Sequence, residues 1–314
     1  MINPVKMPVS DSINRVVEIA LEEWQWRERI DRHHQKLNPI INEHLDRASR
    51  HIAHPVMDFL FTYYPFSVAQ LMRWTPGLGV KLSGNAAEFM AGIKGGRTLD
   101  DGWELDITTF PSRRCDAVRW VVELLEKTAE RPPRFGCYGL HEWAMVYRCG
   151  AARHDRVPLR FPADQLAGIV ESLPIACSHY DAFRFFTPEA RPLNRLQPTL
   201  KTRTDMEQRG CLHVNMDLYK WAQQFYPWIS SDLIADCFLL AVQIREVDMR
   251  ASPYDLQAWQ LEPIRIETES GRREYVDYQQ AFATAAEPLR GRLVDEFRCL
   301  ARAITSQTPT ATDM

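Results

Sequence analysis

The stretch Gly210-Cys211-Leu212-His213-Val214-Asn215-Met216-Asp217-Leu218-Tyr219-Lys220-Trp221 sets His, Asn, Asp, Tyr and Lys among large apolar residues. Its spacing reads as one amphipathic helix and marks the chain as a helical protein with chemistry on a helix face. His213 and Asp217 lie four apart, so both project from the same side. An ionisable pair on a partly apolar face is paired, shifted in pKa, bound to a ligand or used in chemistry. Comparable clusters recur at His54-Pro55-Val56-Met57-Asp58, Gly139-Leu140-His141-Glu142-Trp143 and Ser178-His179-Tyr180-Asp181. The repetition points to an enzyme.

Outward from this helix, the pattern predicts helices over residues 205–226, 231–250 and 273–304. Towards the N-terminus a helical pattern runs over 12–37, through Val16, Ile19, Ala20, Trp24 and Arg27, until Pro39 interrupts it. A second helix is expected over 40–52. A third is opened by His54-Pro55 and stopped by Pro65, with a short successor over 66–74. Residues 77–111 are glycine-rich and irregular, with short strands at 80–82 and 103–107. A strongly amphipathic helix over 115–130 ends at Arg131-Pro132-Pro133, and 140–148 and 165–172 read as two more. Further strands are expected at 157–161, 175–177 and 264–268. The sum is an α+β, mostly α fold: a single large helical domain with a small β element. Residues 1–53 form an N-terminal helical layer, 54–304 the main domain carrying the site, and 305–314 a polar, disordered tail.

The 314 residues are 45% hydrophobic and 25% charged, the composition of a soluble globular protein with a sizeable core. No apolar run approaches the roughly 18–20 residues that span a bilayer, so no membrane partner is expected. Met1-Ile2-Asn3-Pro4 lacks a basic flank followed by an apolar core, and no signal peptide is read from it. Seven cysteines, at 115, 137, 149, 177, 211, 237 and 299, form no CxxC pair. They read as reduced, mostly buried thiols of a cytoplasmic protein, and not as a structural zinc site. A net charge of −3 argues against a broad footprint for duplex DNA and leaves room for a local basic groove. Nothing in the sequence fixes an oligomeric state.

His54/Asp58 and His213/Asp217 have helical i,i+4 spacing, suited to a metal or a hydrogen-bonded dyad. His179/Asp181 share a face if the segment is extended. His141 and Glu142 are adjacent, so on a helix they diverge by about 100° and serve different partners. A helical protein that gathers His and carboxylates from several helices can build a metal centre, with His54, Asp58, His141 and His213 as candidate ligands for a divalent ion. The competing structural reading makes each His a helix cap or a buried hydrogen-bond bridge. The Glu-x-x-His pairs of di-iron bundles are absent.

Asp248-Met249-Arg250-Ala251-Ser252-Pro253-Tyr254-Asp255 closes a predicted helix. Asp, Arg, Tyr and Asp in eight residues make a clamp for an anion or a polar ring edge, or else a C-terminal cap with its own salt bridge. Residues 181–194 place Arg184, Arg191 and Asn194 with Phe183, Phe185 and Phe186 around a turn, which suits stacking of a planar heterocycle or, equally, core packing. Thr75-Pro76-Gly77-Leu78-Gly79-Val80-Lys81 is similar to the hairpin of helix-hairpin-helix DNA glycosylases, with Asp100 and Asp101 about where their catalytic aspartate follows; an ordinary turn also accounts for it. No Walker loop, GxGxxG, GxSxG or HExxH motif is present.

Together, 54–64 (His54-Pro55-Val56-Met57-Asp58-Phe59-Leu60-Phe61-Thr62-Tyr63-Tyr64), 139–148, 181–187, 211–221 and 248–256 resemble a bacterial family, frequent in actinobacteria, whose members are commonly labelled 3-methyladenine DNA glycosylase. The resemblance runs from roughly residue 20 to 295. It implies an N-glycosidase acting on a nucleobase-containing substrate or DNA, with no cofactor required. Such an enzyme has an aromatic base pocket, a carboxylate facing an oxocarbenium-like transition state, and a basic DNA-facing surface. Trp143, Phe183 and Tyr219 supply the first; Asp217 or Asp181 supplies the second, oriented by His213 or His179; the third is not evident in the composition. Arg184 and Arg250 would hold phosphate, Tyr254 and Asp255 would contact substrate, and Glu142 joins the catalytic set. Two alternatives stand beside this reading: a metal-dependent enzyme with a His/carboxylate centre, and a non-catalytic protein that captures a small anionic ligand.

Overall fold

The computed structural model describes residues 19–149 and 157–307. Among these, five helices longer than ten residues carry the architecture: α1 (Glu23–Ser49), α2 (Cys115–Glu130), α3 (Leu212–Gln224), α4 (Ser231–Arg250) and α5 (Glu269–Ser306). Leu233, Ile234, Cys237, Phe238, Ala241, Ile244, Arg245 and Asp248 of α4 are all buried, covering more than one face. A helix apolar on most sides is enclosed by its neighbours, and α3, α5 and α1 pack around α4. The amphipathic α2 presents one stripe, Val118, Val121, Leu124, Leu125 and Thr128, and lays it on α5. None of the helices is long and apolar enough to cross a membrane among the described residues.

Four short strands, β1 (Ile19–Leu21), β2 (Val80–Ser83), β3 (Gly96–Leu99) and β4 (Gly102–Leu105), form one sheet in the order β1-β2-β4-β3. β1 runs parallel to β2; the other pairings are antiparallel, with Leu82 opposite Trp103 and Thr98 opposite Trp103 on the other side. The Trp26 indole N–H donates to the Ser83 carbonyl at 3.0 Å, which fixes α1 to the sheet. The fold is therefore α+β and mostly α, as the sequence reading expects.

Several boundaries differ from that reading. Pro39 does not interrupt the first helix: α1 runs through it, because Trp26, His33, Leu37 and Ile41 form one buried stripe that continues across the proline. The loss of a single backbone donor is outweighed by that packing. Residues 19–21 are a strand and not helix, and 12–18 lie outside the described residues. After His54-Pro55 only Phe59–Thr62 is helical. The helix expected from 205 begins at Leu212, preceded by a separate turn at Arg203–Met206. Gln208 contributes: its side-chain oxygen accepts from the Gly210 N–H at 2.7 Å, diverting a backbone donor of the expected helix, and ties the turn to the Arg134 N–H at 2.9 Å.

The strands expected at 157–161 and 175–177 reduce to single bridges, Leu159 with Tyr254 and Ile175 with Asn194, and 264–268 is a turn leading into α5. Alternating sequence forms no strand where no neighbouring strand completes the ladder. The Thr75–Lys81 turn is followed by β2, so the helix-hairpin-helix likeness fails. Gly77, at φ +84°, instead seats the turn on Ser230, with Thr75 N–H donating to Ser231 Oγ at 2.9 Å. Asp101 is exposed and pairs with Lys81. The tail expected from 305 is helical through Ser306, and 308–314 lie outside the described residues.

Candidate functional site

Five short pieces of chain deliver the polar groups to one end of the α3–α4 pair. Gly139, in the left-handed region at φ +70°, turns the chain into the helical segment Leu140–Ala144, which carries buried His141, Glu142 and Trp143. The start of α3 supplies His213 and Asp217; the last turns of α4 supply Arg245 and Asp248. His179 precedes the turn Tyr180–Phe183, and the extended chain before it is held by Asn194, which accepts from the Cys177 N–H at 2.8 Å and donates to its carbonyl at 2.9 Å. The Arg203–Met206 turn adds Arg203 and Glu207.

Two clusters result, joined by stacked imidazoles. His141 and His213 meet edge to face with centroids 4.3 Å apart, and His213 stacks on His179 at 5.4 Å. In the first cluster His141 Nε2 lies 3.0 Å from Asp248 Oδ1, and His213 Nε2 lies 3.7 Å from Asp248 Oδ2. The close contact lacks hydrogen-bond alignment: both His141 Nε2 and Asp248 Oδ1 are buried without a hydrogen-bond partner. Arg245 Nη1 sits 3.3 Å from Asp248 Oδ2 and 3.4 Å from Glu142 Oε1, while Glu142 Oε2 has no partner. One guanidinium thus lies between two buried carboxylates, and its own Nε and Nη2 are buried without hydrogen-bond partners. Burial pushes the His213 imidazole down to about 3, assisted by His141, so it is neutral near pH 7. Burial alone would also depress His141, but Asp248 outweighs it and raises that ring; Asp248 in turn, despite burial, is held well below the usual carboxylate range by His141 and His213.

In the second cluster every carboxylate has a cation beside it, although His179 Nδ1 is buried without a hydrogen-bond partner. Arg203 donates to Glu207 at 2.6 Å, to Asp217 at 2.8 Å and to Asp181 at 2.9 Å. Lys220 donates to Asp181 and lies 3.4 Å from Asp217; Arg184 stands 3.3 Å from Asp181 at the rim. His179 Nε2 lies 3.2 Å from Asp217 and 3.6 Å from Glu207. Burial opposes ionisation of Asp217, but Lys220, the His179 hydrogen bond and Arg203 hold it well below the usual range. Glu207 is shifted the other way, its burial outweighing His179 and Arg203. Three carboxylates are matched here by Arg203, Lys220 and the rim arginine.

Donor atoms of His141, His213 and Asp248 all lie within 4.8 Å of one another, as do those of His179, Asp181 and Asp217. Two cavities reach the clusters. The larger, about 450 Å³, is lined by His141, His213, Cys137, Cys177, Cys211, Tyr275 and, at its exposed edge, Arg134 and Arg195. Burial pushes the Cys177 thiol up to about 12 and Cys211 well above its ordinary value, so neither is a thiolate nucleophile. The smaller, about 70 Å³, lies between Phe59, Tyr63, Tyr64, Phe185, Glu142, His213 and Asp217. His213 lines both.

Of the residues singled out in the sequence, His141, Glu142, His179, Asp181, His213 and Asp217 converge. His213 and Asp217 share a helix face, yet each serves a different cluster. His141 and Glu142 have different first partners, Asp248 and Arg245, and those partners adjoin.

His54 and Asp58 do not join them: the Asp58 carboxylate accepts from the His54 N–H at 2.7 Å and pairs with His44 and Arg47, an arrangement that caps a turn. Trp143 is fully buried and donates to the Ala251 carbonyl at 2.9 Å. Tyr219 is buried edge-on to Tyr64 and Phe238, and Phe183 against Phe186. Arg250 binds the Glu262 carbonyl and pairs with Glu246 and Glu274, away from both clusters. Tyr254 is buried in the bridge to Leu159, and Asp255 accepts from the Gln257 N–H at 3.0 Å. Arg203, Glu207 and Arg245 were not picked out from sequence, and Asp248 was read only as part of an anion clamp. Its helical spacing, three after Arg245, was the available signal. Comparison of the chain with protein-family models, curated proteins and solved structures finds no match.

Proposed function

We propose that the chain is a metal-dependent hydrolase whose divalent ion is held by His141, His213 and Asp248 and whose substrate enters by the larger cavity. The observation that carries this reading is the buried convergence of His141, His213 and Asp248, whose donor atoms all lie within 4.8 Å of one another. Ligands on an ion at 2.0–2.2 Å lie about 3.0–3.4 Å apart, close to the 3.0 and 3.7 Å separations here. Two neutral-capable imidazoles and one carboxylate select first-row transition ions over magnesium or calcium. The Asp248 oxygen nearer Arg245 is oriented by it, the kind of outer support metal carboxylates receive. The His179 cluster is the poorer metal site, since Lys220 and Arg203 already occupy its carboxylates.

A bound ion supplies Lewis acidity at the floor of the cavity. Glu142, whose Oε2 has no hydrogen-bond partner, lines the smaller cavity on the other side of His213 and would take a proton from a water held there, with Arg245 beside it. Arg134 and Arg195 form no side-chain ion pair among the described residues and select an anionic substrate. The experiment is removal of metal by chelation. Hydrolysis of anionic esters and amides should be lost and then restored by one equivalent of ion; full activity in metal-free protein would refute the reading.

A second reading, N-glycosidase action on an alkylated nucleobase, rests on the family resemblance and on Asp217. This carboxylate is kept ionised beneath Phe59, Tyr63 and Phe185, as a group facing a sugar cation must be. The cavity above it, about 70 Å³, has room for a few waters and must widen to admit a purine. Release of 3-methyladenine from alkylated DNA, lost in Asp217→Asn, would favour this reading; no release where a control enzyme succeeds would remove it.

A further inference from the structure

A third cavity, about 630 Å³, opens at the other end of α3, lined by Arg73, Lys94, Arg113, Arg114, Tyr226 and Trp228 among others. The helix puts it about 18 Å from His213. Four basic side chains line it, and no Asp or Glu does so among the described residues. The chain as a whole carries net charge −3, so this concentration runs against its composition. Two of the cations are anchored to backbone: Arg114 Nη2 donates to the Gln224 carbonyl at 2.6 Å and lies over the Phe225 ring, and Arg73 donates to the Ala91 carbonyl. Lys94 and Arg113 are exposed and have no partner among the described residues. The carboxylates near these cations along the chain are committed elsewhere, Asp116 to Arg119 and Asp106 to Thr108 and Arg97. Burial, aided by the neighbouring Arg113, lowers the Arg114 pKa. Tyr226 also lines the cavity, and its hydroxyl is without a hydrogen-bond partner. A buried donor left unmade is unfavourable until an acceptor arrives.

We propose that this cavity binds the phosphate group of a phosphate-bearing ligand, with Arg113 and Lys94 as mobile contacts, Arg73 and Arg114 as fixed ones, and Tyr226 as a neutral donor. The geometry matches multidentate oxyanion binding, in which arginine forks and a hydroxyl share several oxygens. The proposal is independent of the metal centre, since none of these residues lies in it.

The test is calorimetric titration of the full chain with inorganic pyrophosphate at low ionic strength. One saturable site is expected, weakened about tenfold or more in the double variant Lys94→Gln/Arg113→Gln, since each charged hydrogen bond lost is worth about a decade or more. Both side chains are exposed, so the variant should fold; Tyr226→Phe should also weaken binding while keeping thermal stability. Arg302→Gln, exposed on α5 outside this cavity, should bind pyrophosphate as the parent does. A parallel titration with a short oligonucleotide distinguishes the source. Tighter binding than pyrophosphate assigns the phosphate to a nucleic-acid backbone, and weaker binding assigns it to a small molecule. Absence of saturation by either probe, or unchanged affinity in the double variant, overturns the proposal.

Discussion

The two clusters that meet at His213 are built from the same residue types and do opposite things with them. Around Asp181, Glu207 and Asp217, each carboxylate has a cation within hydrogen-bond reach, and Arg203 alone serves all three. Around Asp248 and Glu142, a single arginine is shared, and a ring nitrogen and two carboxylate oxygens are left without hydrogen bonds. Buried charge that is fully paired holds a structure in one arrangement; buried charge left incomplete requires a further partner. On the proposed reading the Asp181, Glu207 and Asp217 cluster is scaffold and the Asp248 and Glu142 cluster binds the ligand.

The strongest way to break this contrast is to unpair the side whose carboxylates all have a cation. Arg203→Met leaves Glu207, Asp217 and Asp181 short of their shared cation and should cost about 3–5 kcal/mol of stability in denaturant unfolding. A loss below about 1 kcal/mol would mean that the network is not the scaffold. Acid sharpens the same point. Asp217 and Asp181 are both held below their unfolded values, near 3.9, so their contribution is complete above that pH and is lost as the pH falls through their folded values. Thermal stability should therefore decline below about pH 4, and Lys220→Met, which removes a cation from both and brings their folded values nearer the unfolded ones, should make that decline shallower and complete it at a higher pH. The smallest effect expected is on the residue that stays apart: His54→Ala should leave metal affinity within about twofold, because among the described residues His54 meets the Asp58 turn and the Trp259 ring and neither cluster.

The sequence made the local parts of this arrangement readable and hid the non-local ones. α2 and α4 fall where the apolar periodicity puts them, because each is an uninterrupted amphipathic or enclosed run with clear stops. α1 was not legible as one helix, since local rules make Pro39 a break and only the tertiary stripe through Ile41 overrides it. The same division holds in the site. His213 and Asp217 advertise themselves by i,i+4 spacing, and His141 and His179 by the company of carboxylates. His54 and Asp58 share that signature and form a turn cap, so spacing alone does not separate a ligand from a cap. Arg203 is 14 residues from Asp217 and 22 from Asp181, and Arg245 is 103 from Glu142. Pairings at such distances leave no periodic trace, which is why the cations that decide each cluster's role emerge only from the fold.

The central claim is that His141, His213 and Asp248 form an ion site while His179, Asp181 and Asp217 do not. Titration of the apo protein with cobalt(II), read by its visible spectrum and by X-ray absorption, tests it directly. The account predicts one ion per chain with two imidazole ligands, a signal weakened at least about 100-fold in His213→Ala and kept in Asp181→Asn. No saturable ion binding, or a site that survives His213→Ala and vanishes in Asp181→Asn, would contradict it.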